Sequence, residues 1–348
     1  MRLALATDAW HPQVNGVVRT WTRVIEELES EGHEVLVLHP GLFRTMAAPR
    51  YPEIRLALLP GRRLSAQLAA WGPEAVHIAT EGPIGMAVRH WCRRRAQPFT
   101  TSYHTQFPHY LRAYFGLPTA VTWRFIRWFH GAARRTLAPT RGVADELRRH
   151  GVAGAAEWCR GVDTRQFRPV APALADLPRP VFVYAGRVAV EKNIGAFLEC
   201  PLPGSKLVIG DGPARAALQR RHPAAHWAGY RFGEDLAAHY ASGDVFVFPS
   251  RTDTFGIVML EANACGLPVA AYPVTGPIDV VRPGVSGALD EDLRRAAIRA
   301  LDVPRESCIA YAATHSWKRC AEVVLDALAP LRRPATGSSS EVAAEARD

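Results

Sequence analysis

Short apolar runs alternate with helical stretches twice over in this sequence, and that alternation limits the fold more than any other feature. Residues 3–7 form a buried-strand run that ends in the turn-rich loop Trp10–Gly16. A helical pattern follows over Val17–Ser30, Gly32 stops it, and a second apolar run occupies Val35–Leu38. Parallel neighbours need a crossover long enough to hold a helix, so strand, loop, helix, strand opens a parallel α/β sheet. The pattern predicts strands at Ala75–Ile78, Phe99–Tyr103 and Thr136–Ala138, and helices from about Pro83 to Arg95 and over Val143–His150. Between Val162 and Asp176 the chain loosens into a Pro/Ala-rich stretch that reads as a linker. The alternation then restarts, with strands at Val181–Tyr184, Lys206–Ile209 and Val245–Phe248 and helices beginning near Asn193, Pro213, Asp235 and Phe255. At 348 residues two cores are expected. The reading is two doubly wound α/β domains, 1–170 and 171–315, a closing C-terminal helix within 316–333, and a solvated tail over 334–348.

The composition, 48% hydrophobic and 22% charged, is that of a folded chain. No apolar run approaches the roughly 18 to 20 residues of a membrane span, and the apolar start is too short for a signal peptide, so a cytoplasmic location is expected. The six cysteines show no Cys-x-x-Cys pair and no zinc spacing, and read as reduced bystanders. Charge is segregated. Residues 1–170 hold 23 arginines and no lysine against 13 acidic residues, while the remainder is near balance at 19 basic to 20 acidic. Coding bias explains arginine over lysine but not this asymmetry. Such a field suits an anionic membrane surface or phosphorylated substrates. Nucleic acid is disfavoured, because no recognition motif appears and paired carboxylates repel phosphodiester.

The most informative segment is PSRTDTFGIVMLEANACGLP at 249–268, which leaves a buried strand, turns through a polar loop and enters a helix near Phe255 and Gly256. Unpaired amides at a helix start favour an anion, and Gly256 admits close approach to the backbone. Asp253 and Glu261, eight apart, flank that start and face one crevice, suiting a ligand with sugars on both sides of a diphosphate. Alone, the pair reads as a capping Asp and an exposed helix Glu. A second loop, YAGRVAVEKN at 184–193, changes that reading: Arg187 and Lys192 sit at the C-terminal end of another strand, where open α/β sheets bind ligands, and two cations there neutralise a leaving diphosphate. Gly16, preceded by Asn15, ends the first strand-to-helix turn and offers amides from the other side.

These motifs carry a resemblance. From Arg2 to about Leu331 the sequence resembles retaining, nucleotide-sugar-dependent glycosyltransferases of family 4, with the GT-B fold of two facing Rossmann-like domains. The matching segments are PQVNGVVRT, SYHTQFPHY, GRVAVEKN, GDGP and the acidic, seven-residue, acidic run ending in LEANACGLPVA. The resemblance implies that Arg187 and Lys192 hold the donor diphosphate, Glu261 binds the ribose and Asp253 the transferred sugar. It implies that Phe255, Gly256, Ile257 and Val258 offer amides and that Gly16 closes on the phosphate. His104, which matches a histidine at the sugar end of the cleft, binds a donor hydroxyl or orients the acceptor, the alternative being a satisfied interior histidine. Asp253 stands where the family usually has Glu, one methylene longer. No covalent nucleophile stands out and no metal or other cofactor is implied beyond the UDP- or GDP-linked co-substrate, whose base is read near Asp211 and Trp227–Arg231.

For the acceptor, residues Thr119–Thr136 placed on a helical wheel put Phe125, Ile126, Phe129 and Ala132 on one face. Arg124, Arg127, Arg134 and Arg135 fall on the other, bordered by Trp123 and Trp128. A basic stripe edged by tryptophan suits a helix at a lipid headgroup layer, helped by Arg89, Arg93, Arg94 and Arg95. The alternative is that the tryptophans are core and the arginines merely solvated. The sequence therefore leads to a peripheral enzyme on the inner membrane face, moving a hexosyl group to diacylglycerol or a related lipid. The alternatives are a GDP-mannose-dependent alpha-mannosyltransferase or another transferase acting on a soluble or polysaccharide acceptor, and a non-catalytic sugar-nucleotide binder.

Overall fold

The computed structural model describes residues 1–13, 15–48, 51–105, 108 and 116–332. The expected tail, and Gln106, Phe107, His109 and Tyr110 of the SYHTQFPHY segment, lie outside the described residues.

Over the described residues the first half runs β1 (Arg2–Ala6), α1 (Gly16–Ser30), β2 (Glu34–Leu38), β3 (Thr45–Ala48), β4 (Tyr51–Ala57), α2 (Gly61–Trp71), β5 (Ala75–Ile78), α3 (Pro83–Arg94), β6 (Thr100–Ser102), α4 (Thr119–His130), β7 (Arg135–Ala138), α5 (Arg141–Arg149) and β8 (Ala155–Glu157). The second half runs β9 (Val181–Ala185), α6 (Ile194–Glu199), β10 (Ser205–Ile209), α7 (Arg215–Arg221), β11 (His226–Gly229), α8 (Gly233–Ala241), β12 (Val245–Phe248), α9 (Ile257–Ala264), β13 (Val269–Ala271), α10 (Pro277–Val280), β14 (Gly287–Leu289), α11 (Leu293–Ala300), α12 (Arg305–Ala313) and α13 (Trp317–Ala327).

Two parallel sheets result, in the orders β2-β1-β5-β6-β7-β8 and β11-β10-β9-β12-β13-β14. Helices cover both faces, so strands such as β1, β5, β9 and β12 are apolar along almost their whole length and buried. Strand order reverses between β1 and β5 in one sheet and between β9 and β12 in the other, and loops diverge at such points to leave a crevice. Helix α1 starts where Asn15 accepts from the amides of Val17 and Val18, both at 3.0 Å. It buries Trp21, Val24 and Leu28 against β1.

The chain passes between the halves twice, and the two passages are bonded together. Val162 donates to the carbonyl of His315 at 3.1 Å, and a Cβ on Gly161 would lie 2.4 Å from the amide nitrogen of Trp317. Helix α13 thereby returns to the first half, where Trp317, Cys320 and Val324 join Leu3, Leu5 and Trp158. The stretch read as a linker packs on the second half: Phe167 is buried in its core and Leu174 donates to Ser242 Oγ at 3.0 Å.

The wheel drawn over Thr119–Thr136 needs correction. Helix α4 ends at His130, and Arg135 opens β7, which pairs with β6. Arg134 and Arg135 therefore do not share the helix with Arg124 and Arg127, because sheet pairing claims the backbone beyond Gly131. Trp123 is not at a lipid-facing edge but buried, stacked on His150 with ring centroids 3.8 Å apart. Phe125, grouped on one face with Ile126 and Phe129, is exposed, while those two are in the core.

One ion pair ties the halves. The Glu261 carboxylate on α9 is 2% exposed and meets Arg19 of α1 at 2.7 Å, with Tyr240 donating its hydroxyl at 3.2 Å. Removing the guanidinium leaves a buried charge without a cation. Arg19→Ala is expected to cost about 1–2 kcal/mol, less than a fully buried pair because Arg19 is partly exposed, and Glu261→Gln in that background restores part of it. Urea unfolding of the single and double variants checks this; a double variant no more stable than Arg19→Ala contradicts it.

A second prediction concerns pH. His77 is fully buried, and burial, with the His130 charge, pushes its pKa down to about 3. A base with a folded-state pKa below its unfolded value near 6.5 gives stability that is complete above that value and lost as pH falls toward the folded one. The melting temperature should fall from about pH 7.5 to about pH 5, with a shallower slope in His77→Gln. Equal slopes contradict the assignment.

Candidate functional site

The C-terminal ends of β9 and β12 emit two loops that lock together. Asn193, in the left-handed region at φ +52°, donates its side-chain amide to the Pro249 carbonyl at 3.0 Å. Lys192 forms an ion pair with Asp253 Oδ1, while Oδ2 of Asp253 is buried and has no hydrogen-bond partner among the described residues. A buried acceptor left without a donor is uncommon and costly, and marks a place where a hydroxyl or amide belongs. Arg187 is half-buried in the same loop, whose backbone is fixed by Tyr184 donating to the Arg187 carbonyl at 2.8 Å.

Gly256 caps α9 at φ +84°, and a Cβ there would fall 2.8 Å from the Phe248 ring, so glycine alone fits. Phe255 is buried, and Ile257 and Val258 begin the helix half-buried, their amides at its open N-terminal end. Glu261, expected about two turns into the helix, is its fifth residue, little more than one turn in. The exposed-Glu alternative fails, since Glu261 is buried.

From the first half, Gly16 opens α1, and a Cβ there would meet nothing within 4 Å. Arg19 follows one turn later and reaches Glu261. His104 follows β6, and its carbonyl accepts from Thr254 Oγ1 at 2.8 Å, so the histidine abuts the loop that carries Asp253. The Trp21 indole donates to His104 Nε2 at 3.1 Å and Ser102 Oγ lies 2.9 Å from the same nitrogen, while Arg160 Nη2 is 3.4 Å from Nδ1. Burial, then the charges of Arg160, His77 and His130, hold its pKa well below the ordinary histidine value. The ring is therefore neutral at neutral pH, a hydrogen-bonding group rather than a cation.

The structure thus brings Lys192, Asp253, Phe255, Gly256, Ile257, Val258, Glu261 and His104 onto connected elements, with Arg187 in the Lys192 loop and Gly16 one turn from Arg19. Trp123 is buried, and Arg134 and Arg135 lie beyond the helix that carries Arg124, Arg127 and Trp128. Sequence reasoning missed Arg19, Tyr240, Thr254, Trp21 and Arg160. Only Arg19 had a local signal, sitting three residues after Gly16 at the helix start. Among the described residues no group of three His, Cys, Asp or Glu is arranged to hold a metal ion.

Comparisons with known proteins identify the family. Residues 14–166 match the family model Glycosyltransferase Family 4, and residues 179–302 match Glycosyl transferases group 1. A GDP-mannose-dependent alpha-mannosyltransferase of Corynebacterium glutamicum is 32% identical over 91% of this chain and 85% of its own length. An alpha-monoglucosyldiacylglycerol synthase of Streptococcus pneumoniae is 24% identical over 86% of this chain and 78% of its own. Among solved structures, Anabaena HepE in complex with UDP and glucose superposes with a TM-score of 0.69 at 15% identity, covering 94% of this chain and 98% of that one. With two doubly wound domains, both family models matched in order and a relative aligned along nearly its whole length, this chain belongs to the family 4, group 1 glycosyltransferases of the GT-B fold.

Proposed function

We propose that this glycosyltransferase moves a hexosyl group from a UDP- or GDP-linked sugar to a lipid acceptor with retention of configuration and without a metal ion. The observation that carries the reading is the Lys192–Asp253 pair with its unpartnered carboxylate oxygen. A donor entering the crevice gives its phosphate to Lys192 and Arg187 and its sugar hydroxyls to Asp253. One ion pair is thus exchanged for two sets of charge-assisted bonds. As the bond from the anomeric carbon to the phosphate oxygen breaks, negative charge grows on the diphosphate, and fixed cations stabilise that state more than the ground state. Ribose hydroxyls take Glu261, the amides of Phe255 to Val258 line the sugar and phosphate, Gly16 approaches the diphosphate, and His104 accepts or donates at the sugar end.

Support for a membrane surface comes from α4 in corrected form. Leu117, Val121, Phe125 and Trp128 are exposed large apolar side chains at helical spacing, 41%, 60%, 38% and 48% exposed respectively. Arg124 and Arg127 flank them, and the Arg89 guanidinium lies 3.8 Å over the Trp128 ring. Apolar residues bordered by arginine fit a helix lying at a headgroup layer of the inner membrane face. Among the described residues no helix is long and apolar enough to cross a membrane. The diacylglycerol synthase among the relatives supports a lipid acceptor. The mannosyltransferase supports a second reading, GDP-mannose as donor with an acceptor of another kind.

Purified chain given nucleotide sugars and lipid should release nucleoside diphosphate. Lys192→Ala and Glu261→Ala should each reduce release by about a hundredfold or more, the scale of losing a charged contact in the transition state. Donor binding with no turnover across a broad acceptor panel would instead identify a sugar-nucleotide binder. For docking, vesicles containing phosphatidylglycerol should sediment the chain, less so at high salt and less so for Trp128→Ala combined with Arg124→Ala and Arg127→Ala. Attachment only to neutral vesicles, indifferent to salt, contradicts the surface.

A further inference from the structure

Two of the six cysteines, 161 positions apart in the chain, meet at the joint between the halves. Cys159 lies on the first passage, Cys320 in the first turn of α13 just after the second, and their sulfurs are 3.5 Å apart. Both backbones are held around the pair. The Trp158 indole donates to the Cys320 carbonyl at 3.0 Å, and the Cys320 sulfur lies 3.3 Å from the Cys159 carbonyl. Sulfurs already in contact are where a disulfide forms, since thiols held further apart need backbone movement first.

The two thiols differ in access and in charge. Cys159 is half-buried and Cys320 fully buried, so a reagent from solvent meets Cys159 first. The Cys320 hydrogen bond, then the charges of Arg160 and Arg319, draw the Cys159 thiol down to about 7 against its burial. Burial instead pushes Cys92, Cys265 and Cys308 up to about 12 and raises Cys200 as well. At neutral pH Cys159 therefore combines access with thiolate character, the two conditions for reaction. The pair also connects to the crevice. Arg160 is 2% exposed, has no carboxylate partner among the described residues, and holds its proton more firmly because of these two cysteines. Its Nη1 donates to the Cys159 carbonyl at 3.1 Å and its Nη2 lies 3.4 Å from His104 Nδ1. The His104 carbonyl in turn accepts from Thr254 in the donor-side loop of the other half. A disulfide cannot ionise, so oxidation leaves the buried guanidinium beside His104 without an anion, a costly arrangement.

We infer that Cys159 and Cys320 form a reversible dithiol–disulfide site at the joint, through which a low-molecular-weight disulfide slows the enzyme. The bond stands on the placement of the two sulfurs; its effect on turnover rests on the transferase reading above. The Cys159 thiolate attacks one sulfur of the oxidant, the external S–S bond breaks, and the first small thiol leaves with the proton that Cys159 released. The Cys320 sulfur, giving up its own proton, then attacks the Cys159 sulfur, and the second small thiol carries that proton away. Two protein thiols are oxidised to one disulfide while one small disulfide is reduced to two thiols. The cross-link fastens α13 to the first passage and removes the charge that balances Arg160.

The test exposes the reduced full chain at neutral pH to excess 2-hydroxyethyl disulfide. The chain, denatured for titration, should lose two of its six thiols without gaining mass from the reagent. Digestion should yield one linked peptide pair joining Cys159 to Cys320, cleaved again by dithiothreitol. Cys320→Ser should instead hold one reagent thiol on Cys159, and Cys159→Ser should keep its thiols. With a nucleotide sugar and acceptor that the reduced chain turns over, oxidation should lower kcat/KM about fivefold or more, the usual scale of coupling between separate sites. Dithiothreitol should restore the rate, and the rate of Cys159→Ser should not respond to the reagent. Retention of all six thiols, a link between other cysteines, or a lasting reagent adduct on wild-type Cys159 overturns the site. A Cys159–Cys320 link that leaves turnover unchanged overturns the switch. If the variants do not fold, the wild-type peptide map and rates decide alone. A reduced chain that turns over no donor overturns the transferase reading, and the peptide map then decides the bond by itself.

Discussion

Glu261 is a carboxylate almost entirely removed from water, and a charge so placed requires a cation and a hydrogen-bond donor. Tyr240 supplies the donor from the same domain, but the cation, Arg19, comes from the first helix of the other. The Glu261 charge also raises the affinity of Arg19 for its own proton, so the pair is ionised on both sides. At this point the halves are bridged by a polar contact, and such a bridge can be exchanged for other polar partners at small net cost.

The same logic recurs at the neighbouring loops. Lys192 and Asp253 neutralise each other, yet Asp253 keeps one oxygen buried and unsatisfied. Both acids and the lysine thus stand paired and oriented before any ligand arrives, on elements that start at the reversal points of two sheets. Preorganisation of this kind is how a site stabilises developing charge without first reorganising. The tight backbone supports it: Gly212 and Gly256 occur at φ +159° and +84°, where added side chains would strike the Val188 carbonyl or the Phe248 ring.

Much of this was legible in the residues. Eight strands of the two parallel sheets were read because those sheets are covered on both faces, so short apolar runs such as VFVF at 245–248 stand out from polar loops. The donor-side residues were found because loops after those strands are where such sheets bind ligands. The hairpin β3–β4, the strands β8, β11, β13 and β14 and the helices α2, α10, α11 and α12 escaped, being short or lacking a clean period. The wheel over α4 failed where sheet pairing overrode helical spacing after Gly131, and Trp123 could not be distinguished from Trp128 without knowing that His150 stacks on it. Contacts between residues far apart in the chain left no local mark: Arg19 with Glu261, Arg160 with His104, and Cys159 with Cys320, whose sulfurs lie 3.5 Å apart.

A crystal structure of the chain with a bound nucleoside diphosphate would examine the central claim most directly. The diphosphate should lie between the Gly16 turn and Lys192, with ribose hydroxyls on Glu261 and Arg19 turned away from that carboxylate. A nucleotide seated elsewhere, with Lys192 still on Asp253 and Arg19 still on Glu261, would contradict the account.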